Sequence, residues 1–334
     1  MTKKAAKSKT TGKPTAATPP PTRTTTEQSL RDLQKAMEGK NFANTAEANT
    51  FLQALLASGL AESLLDNVPL SFKDEAQELA FDAMEADDDA QAMKLAMRAF
   101  RKDPDCVDAL VVLAEIESDS PRKLIASLQH AVAAGERSLG AKFIEENKGD
   151  FWSIIETRPY MRALEQLAGL LRAEGINLDA IRHFENMLAL NPNDNQGVRD
   201  PLLGLYLATD NLEGARNLLQ RYKNDSMANF AWGRVLERFL ADDLLGASAA
   251  LSKARKANRF VELYLGGKKG PPKHLPEMYS MGSEEEAILC VDNLAAAWSA
   301  HENAVLWLHD QIEQASAPTK KAPAIGTRKK PRAK

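Results

Sequence analysis

The 334-residue sequence predicts an all-α fold, an α-solenoid of stacked antiparallel helix pairs between two basic, disordered ends. Three observations support this prediction. Apolar residues recur at helical spacing through residues 27–314, alanine and leucine dominate the composition, and one apolar pattern recurs in a single register. No segment has the alternating or β-branched character of a strand.

The recurring pattern combines small and bulky apolar residues. Two helices of about 34 residues in all, closed by a proline, form the unit of a tetratricopeptide repeat, or TPR. Such a unit cannot bury its apolar face alone, so the pattern predicts a TPR-like α-solenoid that is suited to binding. The two copies are Ala76, Leu79, Ala80, Ala83, Ala92, Ala96, Ala99 and Pro104, and Leu164, Leu167, Ala168, Leu171, Ala180, Phe184, Met187 and Pro192.

The size of each residue in the repeat predicts how its helices pack. Ala168 and Ala180 occupy positions where two helices cross, and their small side chains let the backbones approach. Leu167, Leu171 and Phe184 are large enough to fill the space between adjacent pairs. Burial of one such side chain contributes about 1.5–3 kcal/mol, so we interpret these positions as structural.

The N-terminal part divides into a tail and a cap. Residues 1–26 contain prolines, threonines and basic residues with little to bury, which predicts a disordered basic tail. Residues 27–70 are expected to form an N-terminal helical cap on the array. In it, Leu30, Leu33 and Met37 share one helical face, and a second short helix opens at Thr45.

Residues 71–260 are expected to form the TPR-like helical repeats, opening with the capping-box pair Ser71 and Asp74. The register breaks at residues 139–157, where Phe151 and Trp152 predict a short helix and turn packed against the repeats. Pro201 predicts that the helix around it either begins there or is kinked. The expected pairs are 73–84 with 89–101, 105–116 with 123–134, 159–192 as a whole, 195–210 with 212–222, and 228–240 with 244–257.

Three segments complete the chain. Residues 261–282 are rich in glycine and proline and are expected to form a loop. Residues 283–314 are expected to form C-terminal capping helices, opened by a capping box of Ser283 and Glu286. Residues 315–334 are expected to be a second disordered basic tail.

Charge is distributed unevenly along the sequence. Of its 43 basic residues, six lie within 1–26 and seven within 318–334, whereas none of the 46 acidic residues lies in either segment. The region between the two ends is therefore acidic. Basic segments without aromatic residues predict weak, non-specific nucleic acid contact, or they only solubilise the protein, and both alternatives stay open.

The sequence also predicts a cellular location. The two cysteines, Cys106 and Cys290, lie far apart, which favours a reducing compartment and two core thiols over a disulfide. No stretch approaches the roughly 18 apolar residues that cross a bilayer, and the N-terminus lacks the apolar segment of a secretory signal. We therefore expect a cytoplasmic protein with no membrane contact.

A more specific likeness begins in the third pair. The matching segments are FWSIIETRPYM, RPYMRALEQLAGLLRAEGINLDAIRHFENMLALNPNDNQGVRD and YLGGKKGPPKHLPEMYSMGSEEEA. Over residues 28–314 the chain resembles a family of bacterial TPR proteins often labelled as similar to the suppressor-of-tumorigenicity-7 protein. Residues 191–197 and Leu275-Pro276-x-x-Tyr279-Ser280 are its most distinctive parts. The resemblance implies an α-helical repeat protein and supplies no catalytic residue.

The segment that joins the third and fourth pairs is the candidate binding site. Its Asn and Asp residues are ordinary caps and turn formers, but amides close to an arginine also suit a peptide backbone or a carboxylate. Both interpretations stay open. If a groove exists, we expect it to be lined by Arg162, Asn195, Gln196, Arg199 and Tyr206, with Arg221 and Tyr222 as further supports.

The sequence contains no pattern that predicts chemistry beyond binding. Some TPR domains clamp the carboxylate tails of chaperones, but the corresponding positions hold Glu165, Gly169, Gln77 and Phe81. The histidines and cysteines lack metal-ligand spacing, and no phosphate-binding glycine motif or nucleophile elbow occurs. We therefore expect no metal, no cofactor and no enzymatic activity.

Two functions compete at this point. The leading hypothesis is a non-enzymatic protein–protein interaction scaffold that binds a partner protein or peptide on a TPR-like concave surface. The alternative is a nucleic-acid-associated adaptor anchored by its basic N- and C-terminal tails.

Overall fold

The computed structural model describes residues 23–37, 40–58, 70–270 and 273–316. Within these ranges the chain forms sixteen α-helices and two short 3-10 helices with no strand, so the fold is all-α, as predicted. The helices are α1 (Arg23–Met37), α2 (Thr45–Ser58), α3 (Phe72–Met84), α4 (Asp89–Lys102), α5 (Val107–Glu117), α6 (Pro121–Leu139), α7 (Ala141–Glu146), α8 (Arg158–Ala173), α9 (Asn177–Leu190), α10 (Arg199–Ala208), α11 (Leu212–Arg221), α12 (Ala228–Leu240), α13 (Leu244–Ala257), α14 (Val261–Leu265), α15 (Glu284–Ser299) and α16 (Glu302–Ser316). The 3-10 helices are Phe151–Ser153 and Ile155–Thr157.

Ten of these helices form five consecutive pairs, each joined by a short turn. The first helices of the pairs are α3, α5, α8, α10 and α12, and the second helices are α4, α6, α9, α11 and α13. Each first helix packs against its own second helix, and each of the first four second helices also packs against the next first helix. First helices contact each other as well, α3 with α5, α5 with α8, and α10 with α12.

The last three pairs share one turn geometry. Gly175, Asp210 and Asp242 have φ angles of 73°, 58° and 58°, and each lies two residues before a second helix. Non-glycine residues rarely adopt this left-handed conformation, so its recurrence at one position indicates a common register. A buried alanine lies five residues after each of these turn residues, at Ala180, Ala215 and Ala247.

Helix starts follow the capping signals in the sequence. The Ser71 hydroxyl accepts a hydrogen bond from the Asp74 amide, and the Asp74 carboxylate accepts one from the Ser71 amide, so the predicted capping box is present. At α15 the Ser283 hydroxyl accepts from the Glu286 amide, as expected. The Glu286 carboxylate, however, accepts hydrogen bonds from the backbone of Ala228 and Gly282.

The apolar core of the described residues consists of two clusters. The smaller one lies within α3, α4 and α5, and the larger one extends from α5 to α16. Ala168 and Ala180 are fully buried in the larger cluster, as their small size predicts. Cys106 and Cys290 are also buried, and both are free thiols.

Several boundaries differ from the sequence expectations. Helix α1 begins at Arg23, inside the expected tail, and the short helix α14 lies inside the expected loop 261–282. Helix α10 begins at Arg199, so Pro201 lies in its first turn, where its missing N–H group has no intrahelical acceptor to lose. The remaining parts of the two predicted tails, 1–22 and 317–334, lie outside the described residues.

Two helices that were expected to cap the ends of the array lie along its side. Helix α1 contacts Asp74 of α3 and Arg162 of α8, and α15 packs against α10 and α12. We call the side of the first helices that carries Asp74, Asp108, Arg162 and Gly204 the first-helix face.

Candidate functional site

The seven residues predicted to line a binding groove do not converge on one site. One lies on the first-helix face, two lie in the connection between α9 and α10, and four lie around α10 and α11. In that order they are Arg162; Asn195 and Gln196; and Arg199, Tyr206, Arg221 and Tyr222.

Arg162 is held by two buried carboxylates. Its Nη1 lies 2.6 Å from Oε2 of Glu27, and its Nη2 lies 2.5 Å from Oδ2 of Asp108. Burial alone would lower the pKa of Arg162, but the charge of Asp108 and the hydrogen bonds to both carboxylates outweigh it and raise that pKa. Gln77 donates a further hydrogen bond to Asp108 over 2.6 Å. This guanidinium group is therefore occupied within the protein and is not the free fork that the sequence suggested.

The connection between α9 and α10 contains a cap for α10. Asp194 has a φ of 52°, and its carboxylate accepts hydrogen bonds from the amides of Val198 and Arg199 at 2.8 and 3.1 Å. The capping interpretation of this segment thus accounts for Asp194.

The two amides of this connection differ in their surroundings. Gln196 donates from Nε2 to the carbonyl oxygen of Met161 at 3.2 Å and to Glu165 at 2.5 Å. Its Oε1 is buried and has no hydrogen-bond partner. Asn195 is exposed to solvent. The two side chains therefore do not act together on one ligand in this conformation.

Arg199 is also paired within the protein. Its guanidinium group lies 3.0 Å from Asp194 and 2.9 Å from Asp225. The rings of Tyr222 and Phe230 lie against it, with centroids 5.3 and 5.9 Å from Cζ. Arg199 thus stabilises the start of the fourth pair and packs against the ring of Tyr222.

A cleft of about 380 Å³ opens between α9, α10 and α11, and we call it the α9–α11 cleft. Tyr206 lies in its wall and donates from its hydroxyl to Oε1 of Glu185 at 2.5 Å. Burial and this carboxylate raise the pKa of Tyr206 above its ordinary value. The wall also includes Leu188, Asn217, Leu218 and Arg221.

Arg221 borders both this cleft and a neighbouring cavity of about 450 Å³. Its Nη2 donates to the carbonyl oxygen of Leu188 at 3.0 Å, and its Cζ lies 5.3 Å from the Tyr222 ring centroid. The Tyr222 hydroxyl donates to the carbonyl oxygen of Pro192 at 2.9 Å, which holds the ring in place. No carboxylate of the described residues pairs with Arg221, which distinguishes it from Arg162 and Arg199.

The first-helix face was not anticipated from the sequence. On α10, the absence of a side chain at Gly204 lets α15 approach closely, because a Cβ there would lie 2.0 Å from the carbonyl oxygen of Asn293. Arg172 of α8 pairs with Asp292 of α15 at 2.8 Å. These partners are 89 and 120 positions apart in sequence, so no local pattern could reveal them.

A carboxyl group with a shifted pKa lies near the start of α10. Burial, with the nearby charges of Asp225 and Asp194, raises the pKa of Asp200 to about 7, although Arg199 opposes the shift. The Asp200 carboxyl accepts a hydrogen bond from Nδ2 of Asn229 at 3.3 Å. It therefore ties the start of α10 to α12 and changes its protonation near neutral pH.

No family model matches the chain, and no curated protein sequence does either. In the described ranges no His, Cys, Asp and Glu side chains group in a manner that could hold a metal ion. None of the described helices is both long and apolar enough to cross a membrane.

Proposed function

We propose that this chain is a non-enzymatic scaffold, a TPR-like α-solenoid that holds a segment of a partner protein in the α9–α11 cleft. Five successive helix pairs, with the same turn and the same buried alanine recurring in the last three, support the solenoid. The observation that carries the binding role is Arg221, which borders two cavities and has no ion-pair partner among the described residues.

Arg221 favours an acidic group of the peptide, placed beside it and away from Glu185 and Glu213, which also line the cleft. Arg221 uses one donor for the Leu188 carbonyl oxygen, and its remaining N–H groups suit a carboxylate. The Tyr222 ring against the guanidinium group restricts its motion, so less entropy is lost when it binds. The exposed amide of Asn217 can pair with a peptide backbone, whereas Leu188 and Leu218 line the cleft but are almost fully buried.

A peptide-display selection against the full chain tests this proposal. We expect the selected peptides to contain Asp, Glu or a free C-terminal carboxylate, and we expect Arg221→Glu to weaken their binding at least tenfold. Arg122→Glu, at an exposed position of α6, makes the same charge change away from the cleft and should leave binding unchanged. Selected peptides without acidic groups, or equal binding to both variants, would refute the role of Arg221.

The basic-tail alternative predicts a different salt dependence. A chain shortened to residues 23–316 retains the cleft and lacks most of the basic residues of both ends. Partner binding that survives this truncation and 0.5 M salt favours the scaffold. Binding that requires the tails and declines as salt increases favours the nucleic-acid-associated adaptor.

A further inference from the structure

The described contacts of helix α1 with the first-helix face are mainly between charged side chains. Arg31 Nη2 and Lys35 Nζ lie 2.9 and 3.3 Å from Oδ1 of Asp74, so one carboxylate of α3 receives two cations of α1. At the other end of the contact, Glu27 reaches Arg162 of α8. The helix thus presents one anion and two cations to groups of opposite charge on two first helices.

The spacing of these groups places them on a single side of α1. Glu27, Arg31 and Lys35 follow one another at intervals of four residues, which puts them in one row along a helix. Gln28, next to Glu27, donates to Glu78 of α3 at 3.0 Å. The first-helix face therefore contacts α1 through charged side chains in a single row.

The attachment of α15 to the same face is different in kind. Helix α15 contributes six buried side chains to the larger apolar cluster, namely Ala287, Cys290, Val291, Leu294, Ala297 and Trp298. No described apolar side chain of α1 belongs to either cluster, and Leu30 is 36% exposed. The side chains of Glu27, Arg31 and Lys35 are only 2%, 12% and 10% exposed, so salt screens their pairs much less than it screens exposed ones. The contact of α1 buries less apolar surface than that of α15, and we infer that it is the weaker of the two.

We propose that α1 is a replaceable occupant of the first-helix face and that a partner protein binds there with an amphipathic helix of the same charge pattern. That helix carries Glu at one position and Arg or Lys four and eight residues later. When α1 leaves, Arg162 keeps its hydrogen bonds to Asp108, so no buried cation is left without a partner. Asp74, which receives both cations of α1, then becomes available to the cations of the incoming helix. The proposal involves neither Arg221 nor the α9–α11 cleft.

A labelled peptide of residues 23–37 is the probe, and its binding to the full chain is measured by fluorescence anisotropy. In the wild-type chain the tethered α1 competes at an effective concentration near the millimolar range, so peptide binding is weak. We expect the double variant Arg31→Glu and Lys35→Glu, in which α1 faces Asp74 with like charge, to bind the wild-type peptide at least tenfold more tightly.

A matched control is available on α4. Lys94 and Arg98 have the same spacing as Arg31 and Lys35 and are exposed, so Lys94→Glu with Arg98→Glu makes the same change of net charge away from the face. This variant should bind the peptide as weakly as the wild type. Arg221→Glu should also leave peptide binding unchanged, which separates this test from that of the proposed function.

Hydrogen exchange on the unmodified chain provides a second measurement. Amides in the middle of α1 should exchange at least tenfold faster than those in the middle of α15, because less apolar burial holds α1 in place. Equal protection of α1 and α15 overturns the proposal, as does equal peptide binding by the α1 double variant and the wild type. Dimers of the wild-type chain that the peptide dissociates would identify α1 of a second copy as the occupant and would also overturn it.

Discussion

Replacement of Gly204 by alanine should move α15 away from α10. The added Cβ would lie 2.0 Å from the carbonyl oxygen of Asn293 and 3.0 Å from its carbonyl carbon. Both atoms belong to the backbone of α15, so no side-chain rotation can relieve the contact. A carbon atom approaches a carbonyl oxygen to about 3.3 Å, so the two helices would have to separate locally by about 1 Å.

The size of the effect follows from two opposing terms. Overpacking of this kind costs about 1–3 kcal/mol, and alanine regains about 1 kcal/mol because it is the better helix former. We expect Gly204→Ala to lower the free energy of unfolding by up to about 2 kcal/mol. Gly169 is the matched control, since it lies within α8 and an added Cβ would meet nothing within 4 Å. Gly169→Ala should therefore raise that free energy by up to about 1 kcal/mol.

Urea unfolding of both variants and the wild type, followed by circular dichroism, measures the two changes. Hydrogen exchange of α15 amides locates the loss, which should be concentrated in α15 and absent from α3 and α4. If Gly204→Ala is as stable as Gly169→Ala, the close approach of α15 to α10 is not present in solution.

Two further predictions concern buried charges. Arg162→Met leaves the carboxylates of Glu27 and Asp108 buried without their cation. We expect this to lower the free energy of unfolding by about 3–5 kcal/mol, measured by urea titration. Adding Asp108→Asn to the same chain should recover part of that loss. Asp200 has a pKa of about 7 in the folded chain, against about 3.9 when unfolded, so its stabilising contribution is complete below pH 4 and is lost as the pH rises through 7. The wild type should therefore lose about 2.6 kcal/mol more between pH 5 and 8 than Asp200→Asn does. Parallel losses in the two proteins would contradict this assignment.

The features of the fold that could be predicted from sequence are local ones. The spacing of Ala168 and Ala180 within a single helix pair requires a close crossing, and both side chains are fully buried. Ser71 and Asp74 cap α3 because the required groups lie three residues apart. Such features depend on contacts within one helix or one helix pair, so the sequence can predict them.

The candidate site depended on contacts that are distant in sequence. From the sequence, Arg162 was expected to have a free guanidinium group, because its two carboxylate partners lie 54 and 135 positions away and could not be identified. The placement of α1 and α15 along the first-helix face could not be predicted from the sequence either, and both helices were expected at the ends of the array. Arg221 remains a candidate because no such distant carboxylate reaches it among the described residues.

The two buried thiols make this protein a natural reporter of its own transient openings. Burial raises the pKa of Cys106 to about 12 and that of Cys290 well above its ordinary value. The thiolate is the nucleophile that attacks an alkylating reagent, so neither sulfur reacts until the helices around it part. Cys106 precedes α5 and Cys290 belongs to α15. The alkylation rates of the two thiols therefore measure how often the helices around each of them open transiently, and no substitution is needed.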